Sequence, residues 1–424
     1  MFNNYNLNRF LEAQNDVYPI ALKELQEGRK RSHWMWYIFP QLKHLGHSYN
    51  AKYYGISGIE EANAYLQHPI LSQRLRKVSE TILNLQKNDA EAIFGGVDAM
   101  KLRSCMTLFD AVEPESVFKK VLMKFFEGKQ DARTLRILAD QNNPINVRIL
   151  ESLTATDKSK LSKRSFVLMG AICGDVIGSC YEFSLTKRLD FDLFTNRSRF
   201  TDDTVCSIAI ADALMNGNDF VGKLKHWCPK YPKAGYGGYF NWWLRQNPPR
   251  PYNSWGNGSA MRVSAIGAFA KSTEETLALA EKSAIVSHNH PEGVKGAQAT
   301  ALAINLALQD SSKEEIKAQI ENRFCYELSR KYADIQPQYT FDVSCQGSVP
   351  EAIIAFLEST DYESAIRMAV AYGGDADTQA AIAGGIAAAY YGEIPDYILN
   401  ECLSRLPLDI KEIIEKFNQA CSNK

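Results

Sequence analysis

Residues 373–390 read GGDADTQAAIAGGIAAAY, and this stretch does the most to decide how the chain folds. Asp375, Asp377 and Thr378 stand where a glycine-rich loop enters an apolar helical pattern. The residues that follow are almost all alanine and glycine, which allow another backbone to approach closely. The stretch therefore predicts a closely packed helix that begins at a pair of carboxylates.

A second segment has the same layout. Residues 200–215 read FTDDTVCSIAIADALM, so that Thr201, Asp202 and Asp203 precede another apolar helical run. Either segment could simply cap its helix, because Asp and Thr are favoured at that position. A cap needs one oxygen, however, and packing like charges together costs energy unless a cation offsets it. Carboxylate and hydroxyl oxygens suit hard divalent cations such as Mg²⁺.

A third segment, residues 170–183, reads GAICGDVIGSCYEF. Helical spacing places Gly170, Gly174, Gly178 and Glu182 four residues apart along one face. One interpretation is a smooth groove that ends in a carboxylate. Spacing alone favours the other, in which the glycines permit tight helix packing and Glu182 is solvated.

The composition is that of an ordinary soluble globular protein. The 424 residues are 45% apolar and 23% charged, with a net charge of −1, which argues against a general polyanion binder. The N-terminus lacks a secretory layout, and the most apolar stretches are too short to span a bilayer. The nine cysteines are scattered without a Cys-x-x-Cys pair, which indicates reduced thiols. We therefore expect a cytoplasmic protein without a membrane segment.

Helical periodicity dominates the chain and predicts an all-α fold. Clear examples are residues 7–26, 59–65, 70–85 and 116–126. Residues 152–164 are polar and rich in Ser, Thr and Lys, as in a linker. The predicted division is a first domain over 1–150, a linker over 151–164 and a second domain over 165–424.

The first domain carries a dense aromatic run, HWMWYIFPQL, at residues 33–42. The favoured interpretation is a hydrophobic core. The alternative is a pocket for a base or nucleotide, lined by His33, Trp34, Arg103 and Ser104, since aromatic and guanidinium planes stack on bases.

Two polar loops lie in the second domain. Residues 251–262, PYNSWGNGSAMR, could offer backbone N–H groups to a phosphate or form a surface turn. Residues 287–293, SHNHPEG, contain His288 and His290. The pair is a weak zinc candidate because no third ligand lies at suitable spacing, and a loop histidine more often forms hydrogen bonds.

Taken in order, these segments resemble the ADP-ribosylglycohydrolase family of the dinitrogenase-reductase-activating type, over about residues 165–400. The first domain resembles a small bacterial helical family of unknown function, which supplies an all-α fold and no activity. The motifs of the main resemblance are GDVIGSCYEF (174–183), FTDDT (200–204), GYGGYFNWW (235–243), WGNGSAMR (255–262), SHNHPEG (287–293), GSVPEAI (347–353) and GGDADT (373–378).

The resemblance implies an orthogonally packed helical domain with two Mg²⁺ ions at the base of an ADP-ribose cleft, Mn²⁺ being the alternative ion. It implies Glu182 at the reacting centre, with Asp202 or Asp203 as alternative acid or base. Ser287 stands where the family usually has Thr. The implied metal ligands are Thr201, Asp202, Asp203, Asp375, Asp377 and Thr378. The implied substrate contacts are Gly235, Tyr236, Gly237, Asn257, Gly258, Ser259, Met261 and His288.

The predicted function is a Mg²⁺-dependent hydrolase that removes ADP-ribose from a modified protein or another acceptor, by cleaving the glycosidic bond at C1″. One alternative is a binding protein that neutralises an ADP-ribosylating toxin by occupying it. Another is a hydrolase of a free ADP-ribosyl small molecule. We expect a monomer without a nucleic-acid partner, unless a modified base is the acceptor.

Overall fold

The helical content follows the sequence pattern closely. The computed structural model describes residues 5–46, 48–141, 144–154 and 163–422. Within these ranges the chain forms helices joined by turns, and the extended pairings are two isolated bridges, Leu42 with Ile56 and Gly256 with Ser344. The predicted all-α fold is confirmed.

The chain divides into two compact units, Met1–Asn143 and Pro144–Lys424. The helices of the first unit are α1 (Asn8–Gln14), α2 (Tyr18–Gln26), α3 (Met35–Ile38), α4 (Tyr49–Tyr53), α5 (Ile59–Gln67), α6 (Pro69–Leu83), α7 (Ala90–Phe94), α8 (Gly96–Val112), α9 (Val117–Phe126) and α10 (Ala132–Gln141).

The second unit contains the remaining described helices. They are α11 (Pro144–Thr154), α12 (Lys163–Gly178), α13 (Asp202–Met215), α14 (Phe220–Trp227), α15 (Gly238–Arg245), α16 (Ser264–Phe269), α17 (Thr273–Ala284), α18 (Pro291–Leu308), α19 (Lys313–Phe324), α20 (Tyr332–Ile335), α21 (Cys345–Glu358), α22 (Tyr362–Ala371), α23 (Ala376–Tyr391), α24 (Asp396–Leu403) and α25 (Leu408–Ser422).

Helix α11 lies at the predicted domain boundary. Its residues Ile149 and Leu153 belong to the hydrophobic core of the second unit, where α11 packs on α25. Much of the predicted linker, residues 155–162, lies outside the described residues. The division that we predict at residues 150 and 165 stays a prediction.

The aromatic run of the first unit supplies its core. Trp34 and Phe39 are buried, and the Trp34 indole Nε1 donates a hydrogen bond to Glu24 Oε2 at 2.9 Å. The Arg103 guanidinium donates to the Lys129 carbonyl at 3.0 Å, whereas His33 is exposed. Ser104 is buried and donates to the Met100 carbonyl. These contacts favour the core interpretation over a nucleotide pocket.

The glycine face of α12 packs directly against α23, as the tight-packing interpretation predicts. A Cβ added at Gly170, Gly174 or Gly178 would lie 2.4, 2.0 or 2.3 Å from its nearest atom in α23. For Gly174 and Gly178 that atom is a backbone carbonyl oxygen, so no side chain could move aside. Glycine at these positions lets the two helix backbones touch.

The prediction that the helical face extends as far as Glu182 is wrong. Helix α12 stops at Gly178, and Glu182 lies four residues later in a turn. The expectation that Glu182 is solvated is also wrong, because this residue is half-buried and lines a cavity. The four-residue spacing continues from Gly178 to Glu182 although the helix has ended at Gly178, so spacing alone cannot mark where the helix ends.

Two further expectations can be compared with the structure. Within the described ranges, no helix is both long enough and apolar enough to cross a bilayer. The nine cysteines all lie within the described ranges, and none of them forms a disulfide there.

Candidate active site

The second unit contains a cavity of about 350 Å³ whose lining includes five carboxylates. Glu182 enters from the turn after α12, Asp202 and Asp203 from the first turn of α13, and Asp375 and Asp377 from the start of α23. The two acidic segments, far apart in sequence, therefore meet at one place.

A buried aspartate that our sequence analysis left without a role joins α12 to the start of α13. Asp175 is 0% exposed and accepts hydrogen bonds from the Thr201 amide (2.9 Å), the Thr201 hydroxyl (2.7 Å) and the Thr204 amide (3.1 Å). The Thr204 hydroxyl donates to the same carboxylate. Its sequence signal is a lone carboxylate in an otherwise apolar helical run.

Asn257 connects the 251–262 loop to the start of α23. Its side-chain amide donates to Asp375 Oδ2 at 2.7 Å and to the Ser348 hydroxyl at 3.2 Å. The loop is held in place further by the Asn257 amide, which donates to the Val343 carbonyl at 2.8 Å. This loop therefore lies inside the site and is not a surface turn.

Burial, together with the charges of neighbouring acids, raises the pKa values of the carboxylates. Burial, followed by the charges of Asp377 and Asp175, raises the pKa of Glu182 from 4.5 to about 7. Burial also raises the pKa of Asp375 from 3.8 to about 6. Burial and the neighbouring acids raise the pKa values of Asp202 and Asp203 well above their usual range. Several protonated or mutually repelling acids in one place are what a bound cation would relieve.

The donor set fits a divalent metal ion. Glu182, Asp375 and Asp377 each bring one oxygen within 4.8 Å of the others. Asp203 Oδ2 accepts the Thr378 hydroxyl at 3.4 Å, and it lies 3.5 Å from the Thr201 hydroxyl oxygen, whose proton is donated to Asp175. The other oxygen of Asp203, Oδ1, is buried and has no hydrogen-bond partner among the described residues. An orphaned buried carboxylate oxygen is costly, and binding a cation would satisfy it.

The lining of the cavity also contains hydrogen-bond donors. Gly235, Gly237 and the first residue of α15, Gly238, belong to it, so the N-terminus of that helix borders the space. The φ of Gly235 is +119°, which favours glycine, and a Cβ there would lie 3.1 Å from Asp202 Oδ1, so this loop lies next to the carboxylates. Arg262 adds a buried cation to the lining.

The two loop histidines have separate hydrogen-bonding roles. His288 is buried and lines the cavity, and its Nδ1 lies 2.8 Å from the Ser287 hydroxyl oxygen. His290 caps α18 by accepting a hydrogen bond from the Glu292 amide at 3.1 Å. Each of the two histidines therefore uses its Nδ1 in a hydrogen bond, the role that a loop histidine more often has.

The structure brings most of the predicted site residues to this cavity. The predicted residues that line it are Glu182, Asp202, Asp203, Gly235, Gly237, Asn257, Gly258, Met261, His288, Asp375, Asp377 and Thr378. Three others lie just behind the wall. Thr201 caps α13, the Tyr236 hydroxyl donates to the Cys228 carbonyl (3.1 Å), and the Ser259 hydroxyl donates to the Gly293 carbonyl (2.7 Å).

Several residues that line the cavity were not predicted from the sequence, among them Tyr252, Ser254 and Arg262. All three stand inside the quoted 251–262 segment, so their position was visible but their role was not. Arg262 is the clearest case, because an arginine after a Gly/Asn/Ser loop is normally exposed, whereas this one is 1% exposed.

Comparison with known proteins agrees with this geometry. The family model described as ADP-ribosylglycohydrolase matches residues 158–424, and one described as protein of unknown function (DUF1810) matches residues 4–138. The chain is 28% identical to ADP-ribosylhydrolase ARH3 of Homo sapiens, over 57% of this chain and 89% of that protein. It is 25% identical to ADP-ribosylarginine hydrolase Tri1 of Pseudomonas putida, over 56% of this chain and 73% of that protein.

A solved structure, that of an ADP-ribosylglycohydrolase-related protein complex, matches with a TM-score of 0.50 and 24% identity. The match covers 63% of this chain and 99% of the solved one, and it shows a shared fold. The family model covers more than half of the chain, and the acidic segments of the matched region converge on one cavity. The chain therefore belongs to the ADP-ribosylglycohydrolase family.

Proposed function

We propose that the protein is a Mg²⁺-dependent hydrolase that cleaves the C1″ glycosidic bond of ADP-ribose attached to a protein side chain or another acceptor. The observation that carries this proposal is the chemistry of one cavity. Its lining contains five carboxylates together with a helix N-terminus, Arg262 and His288. A ligand that combines hydroxyl-rich riboses with a diphosphate would find partners for both groups in this lining.

The proposed ligands of two Mg²⁺ ions are Thr201, Asp202, Asp203, Asp375, Asp377 and Thr378. The orphaned Asp203 Oδ1 and the two threonine hydroxyls near Asp203 Oδ2 support this set. Bound Mg²⁺ would supply Lewis acidity beside the ribose hydroxyls and orient the sugar. Mn²⁺ would suit the same oxygen ligands.

Glu182 is the proposed acid–base group. It lines the cavity beside the proposed metal ligands, and without metal ions burial raises its pKa to about 7. A carboxylate at this position could take a proton from water or give one to the leaving acceptor. Cleavage at C1″ passes through an oxocarbenium-like transition state, which nearby carboxylates stabilise. Asp202 and Asp203 remain the alternative acid–base groups within the same cluster.

The proposed substrate contacts are residues of the cavity lining that can donate hydrogen bonds, with one apolar residue beside them. We propose that Gly235, Gly237, Asn257, Gly258 and His288 bind the diphosphate and riboses, with Met261 as an apolar contact. Tyr236 and Ser259 lie behind this surface, and their hydrogen bonds to backbone carbonyls hold the two loops in shape.

The test is release of ADP-ribose from arginine-, serine- and base-linked substrates, with and without Mg²⁺. The wild-type protein should act on at least one substrate only when Mg²⁺ is present. Glu182→Gln should keep ADP-ribose binding and lose about 10²- to 10⁴-fold in rate. Glu281→Gln, at an exposed glutamate of α17, is the matched control. Full turnover by Glu182→Gln would refute the assignment of Glu182 as the acid–base group.

A further inference from the structure

Three buried side chains, two of which line the cavity, form a line of hydrogen bonds. Arg262 Nη2 donates to the Ser287 hydroxyl oxygen at 3.0 Å and to the Ser283 carbonyl at 2.7 Å. The Ser287 oxygen lies 2.8 Å from His288 Nδ1. Arg262, Ser287 and His288 are 1%, 0% and 5% exposed, so water does not compete for these contacts.

The chemistry of the three groups determines where the protons lie. A guanidinium only donates, so the Ser287 oxygen must accept from Arg262. The hydroxyl has a single proton, and among the described residues its side chain has only Arg262 and His288 as partners. If Nδ1 carried a proton and donated to Ser287, the buried hydroxyl proton would have no acceptor, which is costly. The satisfied arrangement has Ser287 donating to an unprotonated Nδ1.

We propose that Arg262 and Ser287 are positioning residues that hold His288 as a neutral imidazole with its proton on Nε2. We further infer that this Nε2–H donates to a phosphate oxygen of the bound ligand; this second part rests on the proposed function. The ring lines the cavity, and its Nε2 lies 3.1 Å from where a Cβ on Gly258 would stand. Nε2 is thus at the Gly256–Gly258 turn, on the side of the ring away from Ser287.

The surroundings of the ring favour the neutral form. Arg262 is the nearby charged group, and the Tyr252 ring lies against the imidazole, with centroids 5.5 Å apart. Burial, followed by the Arg262 charge, holds the pKa of His288 well below its usual range. A neutral donor adds a hydrogen bond for an anion without placing a second cation beside a buried guanidinium.

The tautomer can be measured without any ligand. Long-range ¹H–¹⁵N spectra of the full chain labelled with ¹⁵N-histidine distinguish a protonated ring nitrogen from an unprotonated one, and His288→Gln identifies the His288 signals. We expect a protonated Nε2 and an unprotonated Nδ1 from pH 6 to pH 8. A proton on Nδ1, or an imidazolium in this range, would overturn the proposal whether or not the protein binds ADP-ribose.

Binding of ADP-ribose, measured by calorimetry, tests the second part. Ser287→Ala removes the donor to Nδ1 and should weaken binding about tenfold, whereas Ser287→Thr keeps the hydroxyl and should restore it. His288→Gln keeps a donor near the Nε2 position and should bind more tightly than His288→Asn, which places its amide near Nδ1.

The outcomes separate the two proposals. If wild-type protein has the expected tautomer but does not bind ADP-ribose, the proposed function fails and the positioning role stands. If wild-type protein binds ADP-ribose and the Ser287→Ala and His288→Asn variants bind equally well, the phosphate contact is refuted.

Discussion

Replacing Gly174 with alanine tests how far the site depends on contact between α12 and α23. An added Cβ would lie 2.0 Å from the Ala380 carbonyl oxygen and 2.8 Å from the Ala381 amide nitrogen. These are backbone atoms, so no rotamer change can relieve the overlap. A carbon normally stays beyond ~3.4 Å of such atoms, so the two helices would have to separate by about 1 Å.

Two opposing effects determine the size of the loss. Alanine in a helix interior gains about 1 kcal/mol over glycine. Overpacking usually costs about 1–3 kcal/mol. The cost at Gly174 should lie at or above the top of that range, because the clash is with backbone atoms of α23. We therefore expect a net loss of about 2 kcal/mol in the free energy of unfolding.

Separation of α12 from α23 should also disturb the cluster of carboxylates that lines the cavity. Glu182 follows α12 by four residues, and Asp377 lies in the first turn of α23. Their oxygens lie within 4.8 Å of each other, so a shift of about 1 Å is a large fraction of that spacing. Calorimetric titration of the Gly174→Ala protein with MgCl₂ should show weaker binding than the wild type.

Two adjacent glycines of α23 provide a matched control. A Cβ at Gly384 would lie 2.4 Å from the Gly170 carbonyl oxygen, whereas at Gly385 the nearest atoms are 3.4 Å away. In urea unfolding of the full chain, Gly384→Ala should lower the free energy of unfolding by about as much as Gly174→Ala does. The free energy of unfolding of Gly385→Ala should equal that of the wild type or be slightly higher. A stable Gly174→Ala protein, or equal losses at Gly384 and Gly385, would refute the packing argument.

Three further predictions follow from the described contacts. Asp375→Ala combined with Asp377→Ala should abolish Mg²⁺ binding in calorimetry; surviving affinity would refute the proposed ligands. When a chelator removes metal ions, the raised pKa values of Glu182 (about 7) and Asp375 (about 6) mean that the folded protein binds more protons than the unfolded chain between about pH 4 and pH 7. Their contribution to stability is complete below about pH 4 and is lost as the pH rises through 6 to 7, so the melting temperature should fall across that window, and MgCl₂ should reverse the fall. Trp34→Phe should lower the stability of the first unit by about 1–3 kcal/mol, because Glu24 loses a buried donor, without changing ADP-ribose affinity.

The local patterns predicted much of the site. Paired acids ahead of apolar helical runs identified the starts of α13 and α23, and both starts line the cavity. The Thr201 hydroxyl accepts from the Asp203 amide at 3.3 Å, which is the cap expected at such a position. Both features depend on residues close together in sequence, so periodicity and capping rules apply to them directly.

Other features could not be predicted because they depend on distant partners. Glu182 acquires its raised pKa from burial and from Asp377 and Asp175, which reach it only after folding. Arg262 is buried because its donors meet Ser283 and Ser287, on a different helix and the loop after it. No local rule states which distant carbonyl or hydroxyl will satisfy a given donor.

The sequence by itself determined that the chain is helical, where several of its helices lie and which short segments carry the acids. Tertiary structure alone decided that these acids share one cavity, that Asp175 joins α12 to α13, and that His288 is held by Ser287. The physical reason is that helix formation and capping involve neighbours along the chain. Burial, charge crowding and hydrogen-bond satisfaction are set by groups that only packing brings together, and here that packing depends on glycine faces that let α12 and α23 touch.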